Sequence, residues 1–428
     1  MTKKTFVGFG FGPIQSGLFL LEAQAGGNFG RFVIAEVDKA LVAAVRANGG
    51  RVTVNVAHHD RVEQRPLEGL ELFDPAEPAD REALLDAIAE SDELATSLPS
   101  VKFYDMGAHC VGANEITSVA ANIAAGLARR KAPKPTIIYT AENNNHAAEI
   151  LEQALLKHAA MSTLRGVQLL NTVIGKMSGV IVETDVMARL GLATMTPATP
   201  KATLVEAFNR ILISRVTLPG FRRGIGCFIE KADLLPFEEA KLFGHNAIHA
   251  MMAYLADVRG LTVMSQTACD AWIMEQARRA FLDESGAALI RKHGHLGDPL
   301  FTPAGYQAYA DDLLERIVCP YLNDLVERVG RDHLRKLAYD DRLFGTMHVA
   351  LEQGIEPTTL ALGAAAGVRS LIARQDTITP LPAGLPRTAD ELTPASLRTV
   401  LTSLWHDKTG PHAERMIELT WRAMASLR

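Results

Sequence analysis

The sequence predicts an α/β protein in which a doubly wound parallel sheet is followed by a mostly helical domain, and three observations carry that reading. Short apolar runs with no polar partner face alternate with helical periodicity over the first third of the chain. The first such run passes directly into a glycine turn and a helical pattern. After about residue 200 strand signals become few and helical periodicity takes over. The expected domains are residues 1–205 for the sheet and 206–428 for the helices.

The elements follow in order. Residues 5–9 (TFVGF) read as a buried strand, residues 14–25 as the helix after the turn, and Gly26 and Gly27 as its stop. Residues 32–35 (FVIA) form a second buried strand that ends at Glu36. Residues 51–91, with the turn-rich HHDRVEQRPLEGLELFDPAEPAD, read as an elaboration leading into a short helix. Strand-like runs at 93–98 and 136–140 flank a helical pattern over 116–130. Helical periodicity then covers 234–259, 268–284, 303–329 and 340–352. The proline-rich stretch 380–396 reads as a surface connection to a last helical hairpin, and no internal repeat is visible.

At 428 residues, 48% apolar and 22% charged, the chain has material for two full cores. A net charge of -5 gives no general attraction to nucleic acid or anionic membrane, so the expected partner is a small molecule and any anion site must be a local cluster. Cys110, Cys227, Cys269 and Cys319 form no CxxC pair, which argues against a disulfide framework or zinc ribbon and for a reduced cytoplasm. Lys3 and Lys4 precede an apolar run, as in a signal peptide, but four glycines and Pro13 break it. No segment approaches the roughly 20 apolar residues of a membrane span. The expected assembly is a monomer or weak dimer.

In VGFGFGPIQSGLF, Gly10 and Gly12 follow a strand and precede a helix opened by Pro13, Ile14 and Gln15, while Glu36, followed by Val37, ends the next strand. That is the order of a Rossmann-like dinucleotide site: glycine lets the backbone approach a pyrophosphate at the helix N-terminus, and the acid accepts from the adenosine ribose. A carboxylate there repels a 2′-phosphate, which predicts NAD over NADP. The third glycine position holds Gln15, with Gly17 two residues on, and the motif by itself also admits a flavin dinucleotide. In IYTAENNN, Glu142 and Asn143 fall at the carboxyl edge of a strand, where such sheets bind ligands; Asn144 and Asn145 read as helix caps.

In FEEAKLFGHNAIH, a lysine, an asparagine and a histidine occupy one apolar helical segment. Asn246 and His249 lie one turn apart, whereas on an ideal helix Lys241 sits roughly 80° round from His249 and about 12 Å along the axis. The three can border one cleft but cannot all touch one another unless the helix distorts near Gly244 or a substrate spans the gap. A lysine partly buried among apolar side chains loses charge preference and moves toward the range of a general base, which oxidation of a secondary alcohol needs; asparagine amides and a histidine N–H suit a developing alkoxide. Against this stand a snorkelling Lys241 and a satisfied core His249.

The spacing Lys241-x4-Asn246-x2-His249, preceded by LLPFEE, resembles the signature of the long-chain polyol-specific dehydrogenases, the mannitol dehydrogenase superfamily. GFGPIQSG, IAEVD, AEN and NTVIGKMS extend the resemblance through the first half; ESGAALIRKHG, CPYLNDLVERVGRDHLRKLAYDDRLFG and ALEQGIEPTTLALGAAAGVR look like the mannitol-1-phosphate 5-dehydrogenase branch. The resemblance implies Lys241 as general acid/base, Asn143 and Asn246 as the oxyanion site, His249 as a substrate holder and no metal. Gln15 and the inserts near 51–91 and 380–396 depart from that branch. Arg335, Lys336 and Arg342 could hold a substrate phosphate or stand as a solvated basic helix end.

The expected function is thus an NAD-dependent oxidoreductase interconverting a linear polyol, a hexitol phosphate such as mannitol 1-phosphate, and its ketose. A dehydrogenase of a sugar acid is the rival within the same chemistry, an opine-type dehydrogenase a more distant one, and a nucleotide-binding regulator the rival outside it. The pairs His58/His59 and His293/His295 read as loop histidines rather than metal ligands.

Overall fold

The structure, a computed structural model, describes residues 3–107 and 117–427, so Cys110 and the expected helix start at Ile116 lie outside the described residues. The chain divides into two compact units, Met1–Leu235 and Pro236–Arg428.

The first unit carries twelve described strands: β1 Lys4–Phe9, β2 Phe29–Ala35, β3 Val52–Ala57, β4 Val62–Leu67, β5 Leu70–Phe73, β6 Glu93–Thr96, β7 Thr136–Thr140, β8 Val167–Val173, β9 Ser178–Ile181, β10 Ala202–Glu206, β11 Leu212–Ser214 and β12 Ile229–Lys231. The main sheet has the order β12-β11-β8-β7-β6-β1-β2-β5. Its stretch from β5 to β8 is all parallel. The order in which strands are added reverses between β1 and β6, the switch point where sheets of this kind take ligands. Successive side chains of β1 alternate faces: Phe6 joins a core with Phe19, Ile34 and Tyr139, while Val7 and Phe9 join one with Val33, Ile123 and Leu151. With both faces covered, these strands read as unbroken apolar runs.

Two expectations are corrected here. The segment 51–91 is only partly an elaboration, because β5 pairs in parallel with β2 as the third strand of the first half-sheet. The added part is the β3–β4 hairpin, which joins β10 and β9 in a second sheet of order β4-β3-β10-β9. Strands also continue past residue 200, and β11 and β12 extend the main sheet, so the first unit runs to Leu235 and not to 205. Strands three residues long give too few alternations to be heard against noise.

The second unit is helical. One helix over residues 235–258 and another over 271–293 each pass through a π-helical turn, Ala240–Asn246 and Ala280–Gly286. The helix expected over 303–329 ends at Ile317, where Pro320 and a left-handed Asn323 (φ 48°) break it before Val326–Gly330. Thr358–Ala373, a helix with no forecast, is apolar almost all round and so lacks an amphipathic period. Its Gly363 and Gly367 admit Met251 and Tyr254 of the 235–258 helix, since a Cβ would stand 2.7 Å and 3.1 Å from them. Pro394–Leu404 and Pro411–Met424 form the last pair. Among the described residues no helix is long and apolar enough to cross a membrane.

Candidate functional site

In the first unit, Gly10 turns the chain out of β1 at φ +81°, a conformation that disfavours any side chain, and a Cβ there would stand 2.7 Å from the carbonyl of Ser97 beyond β6. At Gly12 a Cβ would meet nothing within 4 Å, so the turn presents bare backbone to open space at the mouth of the helix. Pro13 and Ile14 are half-buried in its first turn, and the Ser16 hydroxyl donates to the Gly12 carbonyl at 3.0 Å. Glu36 ends β2 as expected. Its carboxylate accepts from the backbone N–H of Phe11 (2.7 Å), Val37 (2.7 Å) and Asp38 (2.8 Å), which holds an acid against the glycine turn. Val37 itself is exposed. An uncovered glycine backbone at a helix start with an acid at its edge fits a dinucleotide.

Gln15 takes a different place from the one its position in the motif suggests. Its side chain is fully buried between helix and sheet, above the glycine of β1: a Cβ on Gly8 would stand 2.3 Å from Gln15 Nε2. Neither amide atom has a hydrogen-bond partner among the described residues, and only the Gln15 backbone faces the turn. Close helix packing, the third glycine's usual task, falls to Gly17, where a Cβ would stand 2.4 Å from Val205 of β10. Glu142 is likewise turned inward. It accepts from the Thr96 hydroxyl and the Leu98 N–H, both at 2.9 Å, and from the Tyr104 hydroxyl, and burial pushes its carboxyl up despite them. Asn143 is exposed just beyond β7.

In the second unit, a π-helical turn spans Lys241 and Asn246 and contains Gly244, so the helix is distorted there, one of the two alternatives the spacing leaves open. Widening the turn takes backbone carbonyls out of their i→i−4 bonds, and hydroxyls from neighbouring helices take them up. The Phe243 carbonyl accepts from Ser285 at 2.8 Å and has Thr346 at 3.3 Å, while Tyr309 reaches the Ala240 carbonyl at 3.4 Å. Lys241 is half-buried; desolvation, reinforced by the Arg342 guanidinium and opposed by Glu238, brings its pKa down to about 8. His245, one turn on, is buried, and its pKa is pushed well below the usual value by desolvation and the cations around it. Asn246 is half-buried with no side-chain hydrogen bond among the described residues. His249 places Nε2 3.0 Å from Oδ2 of buried Asp324.

The three basic residues expected as an anion cluster part ways. Arg342 is buried, with Nε 2.7 Å from Asp341 Oδ1. Lys336 is buried, donates to the Val329 carbonyl, and is brought down to about 7 by desolvation and then by Arg342 and Arg335. Arg335 is exposed and paired with Asp332 at 3.1 Å. Sequence reasoning passed over His245 and Asp324, although both stand in stretches quoted for other residues. Of the histidine pairs, His58 contacts Glu63 at 2.9 Å and His293 contacts Glu239 at 2.7 Å. Among the described residues no group of three or more His, Cys, Asp or Glu is placed to hold a metal.

The chain is similar to known proteins. The model of the mannitol dehydrogenase C-terminal domain matches residues 233–379, which include Lys241, Asn246, His249, Lys336 and Arg342. Mannitol-1-phosphate 5-dehydrogenase of Shouchella clausii is 28% identical over 281 residues, 65% of this chain and 66% of that protein. The same-named protein of Halalkalibacterium halodurans is 35% identical over 39% of this chain and 42% of its own. The chain thus spans just under two thirds, and under half, of the lengths of these two. That of Paenarthrobacter aurescens is 28% identical over 85% of this chain and 86% of its own. Among solved structures, a substrate-free D-sorbitol dehydrogenase superposes with a TM-score of 0.78 at 15% identity, covering 100% of this chain and 95% of its own. The Pseudomonas fluorescens mannitol 2-dehydrogenase, in ternary complex with NAD and D-mannitol, does so at 0.67 and 18%, covering 100% and 92%. Residues 233–379 thus match the mannitol dehydrogenase C-terminal domain, and the chain is similar over most of its length to mannitol-1-phosphate 5-dehydrogenases.

Proposed function

We propose that this protein is an NAD-dependent dehydrogenase of secondary alcohols that interconverts a linear polyol, a hexitol phosphate such as mannitol 1-phosphate, and its ketose. The observation that carries this reading is Lys241: an amine whose pKa is brought down to about 8 can lose and regain a proton near neutrality, as a general acid/base must. The names of the similar proteins from S. clausii and P. aurescens support the phosphorylated substrate. Arg342, buried and with its charge felt by both Lys241 and Lys336, and buried Lys336 are the cations for its anionic group. Arg335, exposed and paired, is the weaker candidate.

Gly10, Gly12 and the Pro13–Ile14 helix start would hold the cofactor's pyrophosphate and Glu36 its ribose, with Val37 and the neighbourhood of Gln15 and Glu142 shaping the pocket from behind. NAD, when bound, supplies the hydride acceptor. Neutral Lys241 takes the carbinol proton, the carboxamide of Asn246 donates to the alkoxide, and His249 holds a neighbouring hydroxyl. The test is formation of reduced nicotinamide from NAD with a panel of polyols, polyol phosphates and aldonates. Turnover fastest with a hexitol phosphate is expected; preference for an aldonate would move the same machinery to a sugar acid, and no turnover on any of them would refute the reading.

A further inference from the structure

We infer that Asp324 is a positioning residue that fixes the tautomer of His249, so that His249 meets substrate through Nδ1 as a hydrogen-bond acceptor. The inference rests on the proposed substrate-holding role of His249, although its geometry is independent of which polyol is turned over.

The Asp324 backbone is held from two sides. It follows Asn323, which stands in the left-handed region at φ 48°, and its carbonyl accepts from Met264 N–H at 2.8 Å, next to Val326 N–H donating to Thr262 at 3.0 Å. The carboxylate is 3% exposed, and its two oxygens have different partners. Oδ1 accepts from Arg328 Nε at 2.9 Å and Nη2 at 2.5 Å. Oδ2 lies 3.0 Å from His249 Nε2, at an angle outside hydrogen-bond geometry, and neither of these buried atoms has another partner among the described residues. A buried carboxylate oxygen and a buried ring nitrogen left without a partner are costly, so a small ring rotation that closes the bond is favoured. Burial alone would raise the Asp324 carboxyl; His249 and Arg328 outweigh it and hold the group below its usual range, that is, ionised. An ionised carboxylate accepts only, hence Nε2 carries the proton and, in the neutral ring, Nδ1 is left as an acceptor. The donor for the alkoxide is then the Asn246 amide, and His249 Nδ1 accepts a hydrogen bond from a substrate hydroxyl.

Asp324→Asn reverses the arrangement in a foreseeable way. Arg328 requires an acceptor at the Oδ1 position, so the carboxamide turns its NH₂ toward His249 and forces the Nδ1–H tautomer. Long-range ¹H–¹⁵N correlation on histidine-labelled protein, with His249→Gln to assign the signal, should show Nε2–H in the wild type and Nδ1–H in Asp324→Asn. kcat/KM for the best substrate should fall ~10–100-fold, the usual cost of losing an orienting partner. In a His249→Ala background the Asp324→Asn change should add no further loss. A charged ring or an Nδ1–H tautomer in the wild type overturns the inference, as does an unchanged tautomer in Asp324→Asn. If that variant fails to fold, the wild-type spectrum alone decides. If no polyol is oxidised, the function fails while the tautomer is still read.

Discussion

Lys241 shows how far residue type and neighbours together set a chemical role. Desolvation and the Arg342 charge favour the neutral amine, so the base form grows in as pH rises through about 8. Alcohol oxidation should therefore rise with pH through that region and level off, while ketone reduction, which needs the protonated amine, should fall through it. Arg342→Gln removes one of the two causes and should move the limb to higher pH; a limb that stays put in initial-rate profiles would detach Lys241 from it. In the first unit, Glu36→Gln should narrow the gap between NAD and NADP, measured as the ratio of kcat/KM values, because the carboxylate that repels a 2′-phosphate is gone; a wild type that prefers NADP would contradict the ribose assignment. Most of these residues were legible from type and order alone. The Gln15 side chain was not, because its place is decided by the empty space over Gly8, a three-dimensional complement that no spacing rule expresses. Asp324 was hidden for the same reason: its partner lies 75 residues away in the chain.

At the scale of elements, the π-helical turn Ala240–Asn246 interrupts the helix that carries Lys241, Asn246 and His249. It is stabilised by hydroxyls from other helices and by close packing at glycine. A Cβ on Gly244 would stand 2.9 Å from the Tyr306 hydroxyl and 3.0 Å from Phe281, inside normal contact. Gly244→Ala should accordingly cost about 1–3 kcal/mol in urea denaturation, the usual penalty of overpacking, and a variant as stable as wild type would show that the crossing has slack. Ser285→Ala, which removes the 2.8 Å bond to the Phe243 carbonyl, should cost about 1 kcal/mol. That a distortion near Gly244 was one way to bring these residues together could be read from helical geometry, whereas its form could not, since the donors that stabilise it come from residues 285 and 346.

At the scale of the whole chain, the order of buried runs, turns and helices carried the architecture, because a parallel sheet covered on both faces writes itself as continuous apolar segments. What it concealed were non-local pairings: the β3–β4 hairpin finds β10 some 140 residues later, and β11 and β12 carry the first unit on to Leu235. The Thr358–Ala373 helix was silent because a helix buried on every side has no polar face to mark its period. With cofactor binding assigned to the first unit and proton transfer to Lys241 in the second, a single variant separates the two. Steady-state turnover and NADH binding of Lys241→Ala, set beside wild type on its best polyol phosphate, is the measurement that tests this most directly. A loss in kcat of at least ~10²–10⁴-fold with NADH affinity nearly unchanged is the predicted result, and near-normal turnover by that variant would contradict the mechanism.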